Sequence, residues 1–149
     1  MTIDEFQIQL DISSGNELEV LKRYASKASY GYLFVDSNDG QCYLFDKYGK
    51  LDDISKIKSI EDYAFFKCTS FKSIVIPDSV ESIGAYVFYY CTSFKRITIP
   101  DSVKSIGYWA FNESTSLKEV IFKGKTIDKV KTMDNYPWCI KDISIIKCR

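Results

Sequence analysis

The 149-residue chain contains no histidine, only three prolines and seven glycines, and no excess of either charge, with 20 basic against 20 acidic residues. The missing histidine removes the commonest general base and the commonest zinc ligand. No apolar run is long enough for a membrane span or for the core of a secretion signal. The five cysteines, Cys42, Cys68, Cys91, Cys139 and Cys148, are odd in number and lack C-x-x-C spacing, so they do not read as a metal or redox motif. No glycine-rich phosphate loop is present, and no serine, cysteine or carboxylate sits in a recognisable nucleophile motif. Charge is mildly uneven: residues 1–50 carry 8 acids against 5 bases, and the remainder 12 acids against 15 bases. No basic stripe suited to several phosphates stands out, so direct nucleic-acid binding is not expected. These absences argue against an enzyme and predict no cofactor, no metal, no small-molecule substrate and no membrane partner.

Repetition is what the chain does have. Phe71 to Ser93 and Phe94 to Ser116 are one unit written twice, with 14 of 23 positions identical. A degraded copy precedes them: Ile60 stands for Ile83 and Ile106, Phe65 for Phe88 and Phe111, and Cys68 for Cys91. Its front half, Leu51 to Ile57, lacks Pro-Asp-Ser, although Leu51 and Ile57 keep the apolar positions of Ile74 and Val80. Leu117 to Phe122 opens a further copy that stops before the proline. Such an array predicts a stack of coils in which like residues form ladders.

Within one unit, alternation in KSIVIP and KRITIP points Ile74, Ile76, Ile97 and Ile99 inward. It points Ser73, Val75, Arg96 and Thr98 outward, in ladders continued by Glu119 and Ile121. Each proline ends its strand, and Asp78 and Asp101 read as turn residues bonded to their own backbone. Gly84 and Gly107 mark a bend that needs either positive φ or close backbone approach. Phe88 and Phe111 then plug the interior, and successive coils should lie about 4.8 Å apart.

The string I-x-I-P-D-S-V-x-x-I-G-x-x-(A/V)-F, followed by C-T-S-(F/L)-K, resembles the BspA-type leucine-rich repeat over Ile57 to Phe122. That resemblance implies a solenoid and a binding role, of the kind found in surface and secreted proteins of bacteria and some protists. The chain departs from the pattern at Glu61, in the glycine position, and at Ser114, in the cysteine position. The latter argues that the cysteine is a filler rather than a ligand.

The sequence therefore predicts an α+β protein in three parts: an N-terminal head over 1–50, repeats over 51–124 and a C-terminal cap over 125–149. In the head, Phe6 to Ile12 alternates as a strand. Residues 17–26, ELEVLKRYAS, place Leu18, Leu21 and Ala25 on a helical stripe after an SSGN cap. GYLFVD and QCYLFD then flank SNDG as a hairpin, giving β-α-β-β. In the cap, a short helix opens at Thr126 with Ile127, Val130 and Met133 inward. The cluster Tyr136, Pro137 and Trp138 plugs the last coil, and Ile143 to Ile146 adds a final strand. Cys68 and Cys91 fall on adjacent coils, where buried thiol fillers are preferred over a disulfide.

Function then rests on surface. Tyr63, Tyr86 and Trp109 share one repeat position and should stack along an edge, beside a second ladder of Phe66 and Tyr89. Aromatic ladders of this kind anchor protein interfaces, or else only roof the core. Arg96 and Glu119 on the strand face form a milder second candidate. The expectation is a non-catalytic protein-binding module, cytoplasmic because acids fill the start MTIDEF. One version is an inhibitor carried by a phage or mobile element into a host cell against a defence enzyme such as a CRISPR nuclease. The alternative, which the family resemblance implies, is a surface adhesin binding host or cell-surface proteins.

Overall fold

The computed structural model describes residues 18–26, 29–36, 39–45, 48, 50–68 and 72–149. The strand expected at Phe6 to Ile12 lies outside them. Strands dominate. An antiparallel sheet runs in order β1 (Leu18–Ser26), β2 (Ser29–Asp36), β3 (Cys42–Phe45) and β4 (Leu51–Asp52). Two parallel sheets follow. One joins β6 (Ser73–Val75), β8 (Arg96–Ile99), β10 (Glu119–Phe122) and β11 (Ile146–Cys148); the other joins β5 (Ser59–Ile60), β7 (Ser82–Ile83) and β9 (Ser105–Ile106).

The register is that of a coil of 23 residues. Ile74 pairs with Ile97, Ile97 with Val120, and Ile83 lies between Ile60 and Ile106. Between the two strands of each coil the turn is closed by Val80 N–H to Pro77 O (3.0 Å) and Val103 N–H to Pro100 O (3.2 Å). The third side of each coil is a run of turns over 62–67, 85–90 and 108–113. These also bond between coils: Tyr63, Phe65 and Lys67 N–H donate to Ala85, Val87 and Tyr89 O at 3.0, 3.0 and 2.8 Å. Tyr86, Phe88 and Tyr90 donate in the same way to Tyr108, Ala110 and Asn112.

Apolar side chains fill the interior in columns. Phe65, Phe88 and Phe111 stack with centroids 5.4 and 5.5 Å apart, flanked by buried Ile74, Ile76, Val80 and their repeats. Each fully buried ring of this size contributes ~1.5–3 kcal/mol relative to exposure. Cys91 and Ser114 hold one position and do one job: the thiol donates to Phe65 O at 3.0 Å and the hydroxyl donates to Phe88 O, each one coil back. The cysteine is thus a filler that also satisfies a buried carbonyl.

Several expectations are corrected. Residues 18–26, read as a helix, form β1, paired with β2 from Leu18↔Asp36 to Ser26↔Ser29 with a register shift between Leu21 and Tyr24. That bulge interrupts the two-residue period and leaves an apolar spacing that imitates a helical stripe, while the β-prone partner strand supplies the ladder. Leu51 is exposed and pairs antiparallel with Phe45, so it does not take the place of Ile74. Ile57 does take the place of Val80, being fully buried. In the first coil a 3-10 turn, Ile54–Lys56, capped by the Asp53 carboxylate, substitutes for Pro-Asp-Ser. Ile127 is exposed although Val130 of helix α1 (Ile127–Lys131) is buried, and the last strand begins at Ile146 rather than Ile143. Ile121, placed on the outward ladder, is buried at 5% between its paired neighbours Thr98 and Lys147. The Asp101 carboxylate reaches Lys125 Nζ at 2.9 Å, since the turn bond is already made by the backbone.

Gly84 and Gly107 do not have positive φ; close approach is their reason. A Cβ on Gly84 would lie 2.5 Å from Asp62 N, and one on Gly107 would lie 2.3 Å from Ala85 N, in the coil before. Glu61 fills the same position in the first coil, where its side chain is exposed. Gly107→Ala should therefore cost about 3 kcal/mol or more by urea unfolding, whereas Glu61→Gly should shift stability by less than ~1 kcal/mol.

At the far end Trp138 is 1% exposed, packs on Phe122 at 5.7 Å and edge-on to Tyr136 at 5.4 Å, and donates from Nε1 to Asp134 O at 2.9 Å. This is the plug over the last coil. Trp138→Ala should destabilise by ~3–5 kcal/mol, and a melting profile equal to the parent's would contradict that packing.

Candidate functional site: a two-column aromatic face

The turn segments set the aromatic edge. Tyr63, Tyr86 and Trp109 occur at the same point of successive coils with φ of 63°, 57° and 59°, in the left-handed region. This backbone lets an adjacent apolar residue, Val87 or Ala110, face inward while the aromatic residue stays at the surface. Four residues later Lys67, Tyr90 and Glu113 are again left-handed.

The rings form a small lattice. Tyr63 stacks on Tyr86 at 5.0 Å and 5°, and Phe66 on Tyr89 at 5.1 Å and 9°. Across the columns the contacts are edge to face, Tyr63 to Phe66 at 5.5 Å and Tyr86 to Tyr89 at 5.9 Å. Trp109 continues the first column at 5.7 Å with a 50° tilt. Asn112 takes the next place in the second column, which therefore ends. Both offset-stacked and edge-to-face geometries are the favoured ones for aromatic pairs. Tyr63 is 53% exposed and Trp109 47%. Lys67 Nζ lies 5.3 Å from the centre of the Phe66 ring. Desolvation among these rings raises the Tyr86 phenol above its ordinary pKa, so it stays a neutral donor.

Two members were not legible as ladder residues. Tyr108 meets Tyr86 edge-on at 5.5 Å, and Tyr90 lies 6.2 Å from Tyr89. The equivalent places hold Ala85 on one side and Lys67 and Glu113 on the other, so repeat logic passes over them. Arg96 and Glu119 are brought together on the strand side of the coil, away from the rings, with Nη2 and Oε1 2.8 Å apart. Arg149 approaches the second carboxylate oxygen at 3.7 Å. The Arg96 hydrogen bond holds the Glu119 carboxyl below its ordinary pKa. Exposed as it is, this pair contributes little to stability.

Chemistry of other kinds finds no assembled site among the described residues. No group of three His, Cys, Asp or Glu could hold a metal ion there, and no helix there is long and apolar enough to cross a membrane. Burial pushes the Cys42 thiol up to about 12, the reverse of an activated nucleophile. Two depressions, one of about 240 Å³ beside Phe111 and Ile145 and one of about 280 Å³ beside Cys42 and Ser79, are smaller than the ~300–1,000 Å³ of small-molecule sites.

A stack of parallel strands with a rigid, ring-lined side defines the class: a short solenoid built to present a surface. Residues 41–147 match the family model described as "BspA type Leucine rich repeat region (6 copies)", and the chain belongs to that family. The match begins ahead of residue 51, inside the hairpin of β2 and β3. No curated protein matches the chain. Among solved structures it is similar to a leucine rich cell surface protein from Faecalibacterium prausnitzii A2-165, with 21% identity over 75% of this chain and a TM-score of 0.39. The chain spans 35% of that protein.

The left-handed positions carry a cost of ~1–2 kcal/mol for a side chain with Cβ. Glu113 is exposed with φ of 60°. Glu113→Gly should stabilise the fold by about 0.5–1 kcal/mol, once the greater unfolded-state freedom of glycine is subtracted. Glu113→Val should do the opposite, and paired urea titrations distinguish the two.

Proposed function

We propose that the chain is a non-catalytic protein-interaction module that docks through its aromatic edge. The observation that carries this is the lattice of Tyr63, Phe66, Tyr86, Tyr89 and Trp109, partly exposed yet fixed by mutual ring contacts. Rings already held by stacking lose little freedom on binding, which is why tyrosine and tryptophan anchor interfaces. Stacking covers the facing sides of Tyr63 and Tyr86 and of Phe66 and Tyr89, so much of what a partner meets is ring edges and phenol hydroxyls. Those are electropositive edges and donors, suited to carbonyl and carboxylate groups of a protein surface.

Membership of the BspA-type family favours an adhesin-type role at a cell surface as the setting for this binding. The other setting is inhibition of a host defence enzyme by a phage or mobile-element product. Genes flanking the coding sequence separate the two: a leader or wall anchor goes with the adhesin, small phage genes with the inhibitor.

Tyr86→Ala combined with Trp109→Ala should remain folded, because both rings lie outside the buried core, and should weaken partner capture by at least about tenfold, the scale of one interface hot spot. A folded double variant that retains the partner moves the site to the N-terminal head.

A further inference from the structure

The coil period places lysines at residues 72, 95, 118 and 141. Lys95 N–H donates to Lys72 O at 2.7 Å and Lys118 N–H to Lys95 O at 2.9 Å, so three of them lie directly over one another on successive coils. All are exposed; Lys141 keeps the spacing in sequence but lies out of register with the column, since β11 pairs with β10 at an offset of 26, and it lines a depression with Glu113 and Asp142. Other charged ladders here are compensated. Lys58, Glu81 and Lys104 alternate in sign and are joined by the same backbone bonds, Glu81 N–H to Lys58 O and Lys104 N–H to Glu81 O. Arg96 is neutralised by Glu119, which Arg149 also approaches. The lysine column has no ion pair among the described residues, and Glu119, the carboxylate that follows Lys118 in the chain, is already engaged by Arg96.

We propose that this column binds an extended acidic polysaccharide carrying one anionic group per sugar. Two coils advance by about 9.6 Å, close to the two-sugar repeat at which an extended chain presents its anionic group on the same face again. Phosphates along one strand of a nucleic-acid duplex advance ~3.4 Å along its axis and drift by nearly a full coil over three steps. Same-face side chains of an acidic peptide strand recur every ~6.7 Å and drift further. The corners just before Lys95 and Lys118 carry Thr92 and Ser93, and Thr115 and Ser116, hydroxyls of the kind that meet sugar hydroxyls. This site is on a different side of the coil from the aromatic edge, so the two can be occupied independently.

The test is binding of the full chain to polygalacturonate, with neutral dextran and oligo-dT as comparisons, at several salt concentrations. Polygalacturonate should bind more tightly than either comparison and weaken as salt rises. Lys95→Gln with Lys118→Gln should reduce affinity about tenfold or more and flatten the logarithmic salt dependence by roughly one for each lysine removed. Lys123→Gln with Lys131→Gln, an equal charge change off the column, should leave affinity within about twofold. The proposal is overturned if the wild type does not bind polygalacturonate, if the off-column pair weakens binding equally, or if oligo-dT binds more tightly.

Discussion

Backbone hydrogen bonds between coils, offset by 22 to 24 residues, are the constraint from which the rest of the structure follows. They run on all three sides: strand to strand at Ile74 and Ile97, strand to strand at Ile60 and Ile83, and turn to turn at Phe65 and Val87. A coil satisfied on all three sides has no freedom to slide, since a slip of one residue would drive buried isoleucines outward. The same closeness dictates glycine at 84 and 107, where another coil's backbone lies within 2.5 Å of the would-be side chain. Sequence identity between units is thus a consequence of geometry repeated at fixed spacing.

An array of this kind leaves donors, acceptors and apolar surface open at both ends. The N-terminal hairpin meets the first strand through Gly40, whose carbonyl accepts from Val75 N–H at 2.8 Å, and through the Cys42 thiol against Val75 O at 3.5 Å. Gly40 has φ of 75° and sits against the backbone of Ser73 and Ile74, an approach that no side chain would permit. The C-terminal segment closes each side by a different device. Strand β11 pairs with β10, the Asn135 amide donates to Ile106 O at 3.3 Å, and Trp138 O accepts from Phe111 N–H at 3.2 Å. The 23-residue spacing is not kept here, Val120 pairing with Ile146, because capping requires only that the right atom arrive at each ladder.

That difference explains what could be read from the residues alone. The coils were legible because position i and position i+23 must solve the same packing problem: Ile74 and Ile97, Phe88 and Phe111, and Tyr63 and Tyr86 all fall where the period puts them. At the ends the β2–β3 hairpin and the helix opening at Thr126 were legible from turn and capping residues, and the rest only as apolar material. Trp138 could be recognised as a plug, but Asn135 as a strand substitute could not, since a single amide carries no pattern. In the head, a bulge between Leu21 and Tyr24 breaks the alternation that would have marked β1, and strand pairing with β2 overrides the helical spacing. Of the aromatic face, the repeated members were visible and the singular ones, Tyr90 and Tyr108, were not. The lysine column was present in the spacing, yet a net charge of zero and paired charges elsewhere in the coil conceal it from composition.

Register therefore acts as an amplifier. A residue type that is unremarkable once becomes a surface when the fold repeats it every coil, and its chemistry depends on what the neighbouring column holds. Stacked rings satisfy one another, so the aromatic columns gain rigidity from repetition. Ammonium groups repel at the same spacing, so the lysine column is eased only by a counter-charge that the neighbouring ladders do not supply. Alternation at Lys58, Glu81 and Lys104 shows that the 23-residue period is compatible with neutralisation where the sequence provides it. The uncompensated column is thus a property of the residues chosen, and not a requirement of the coil.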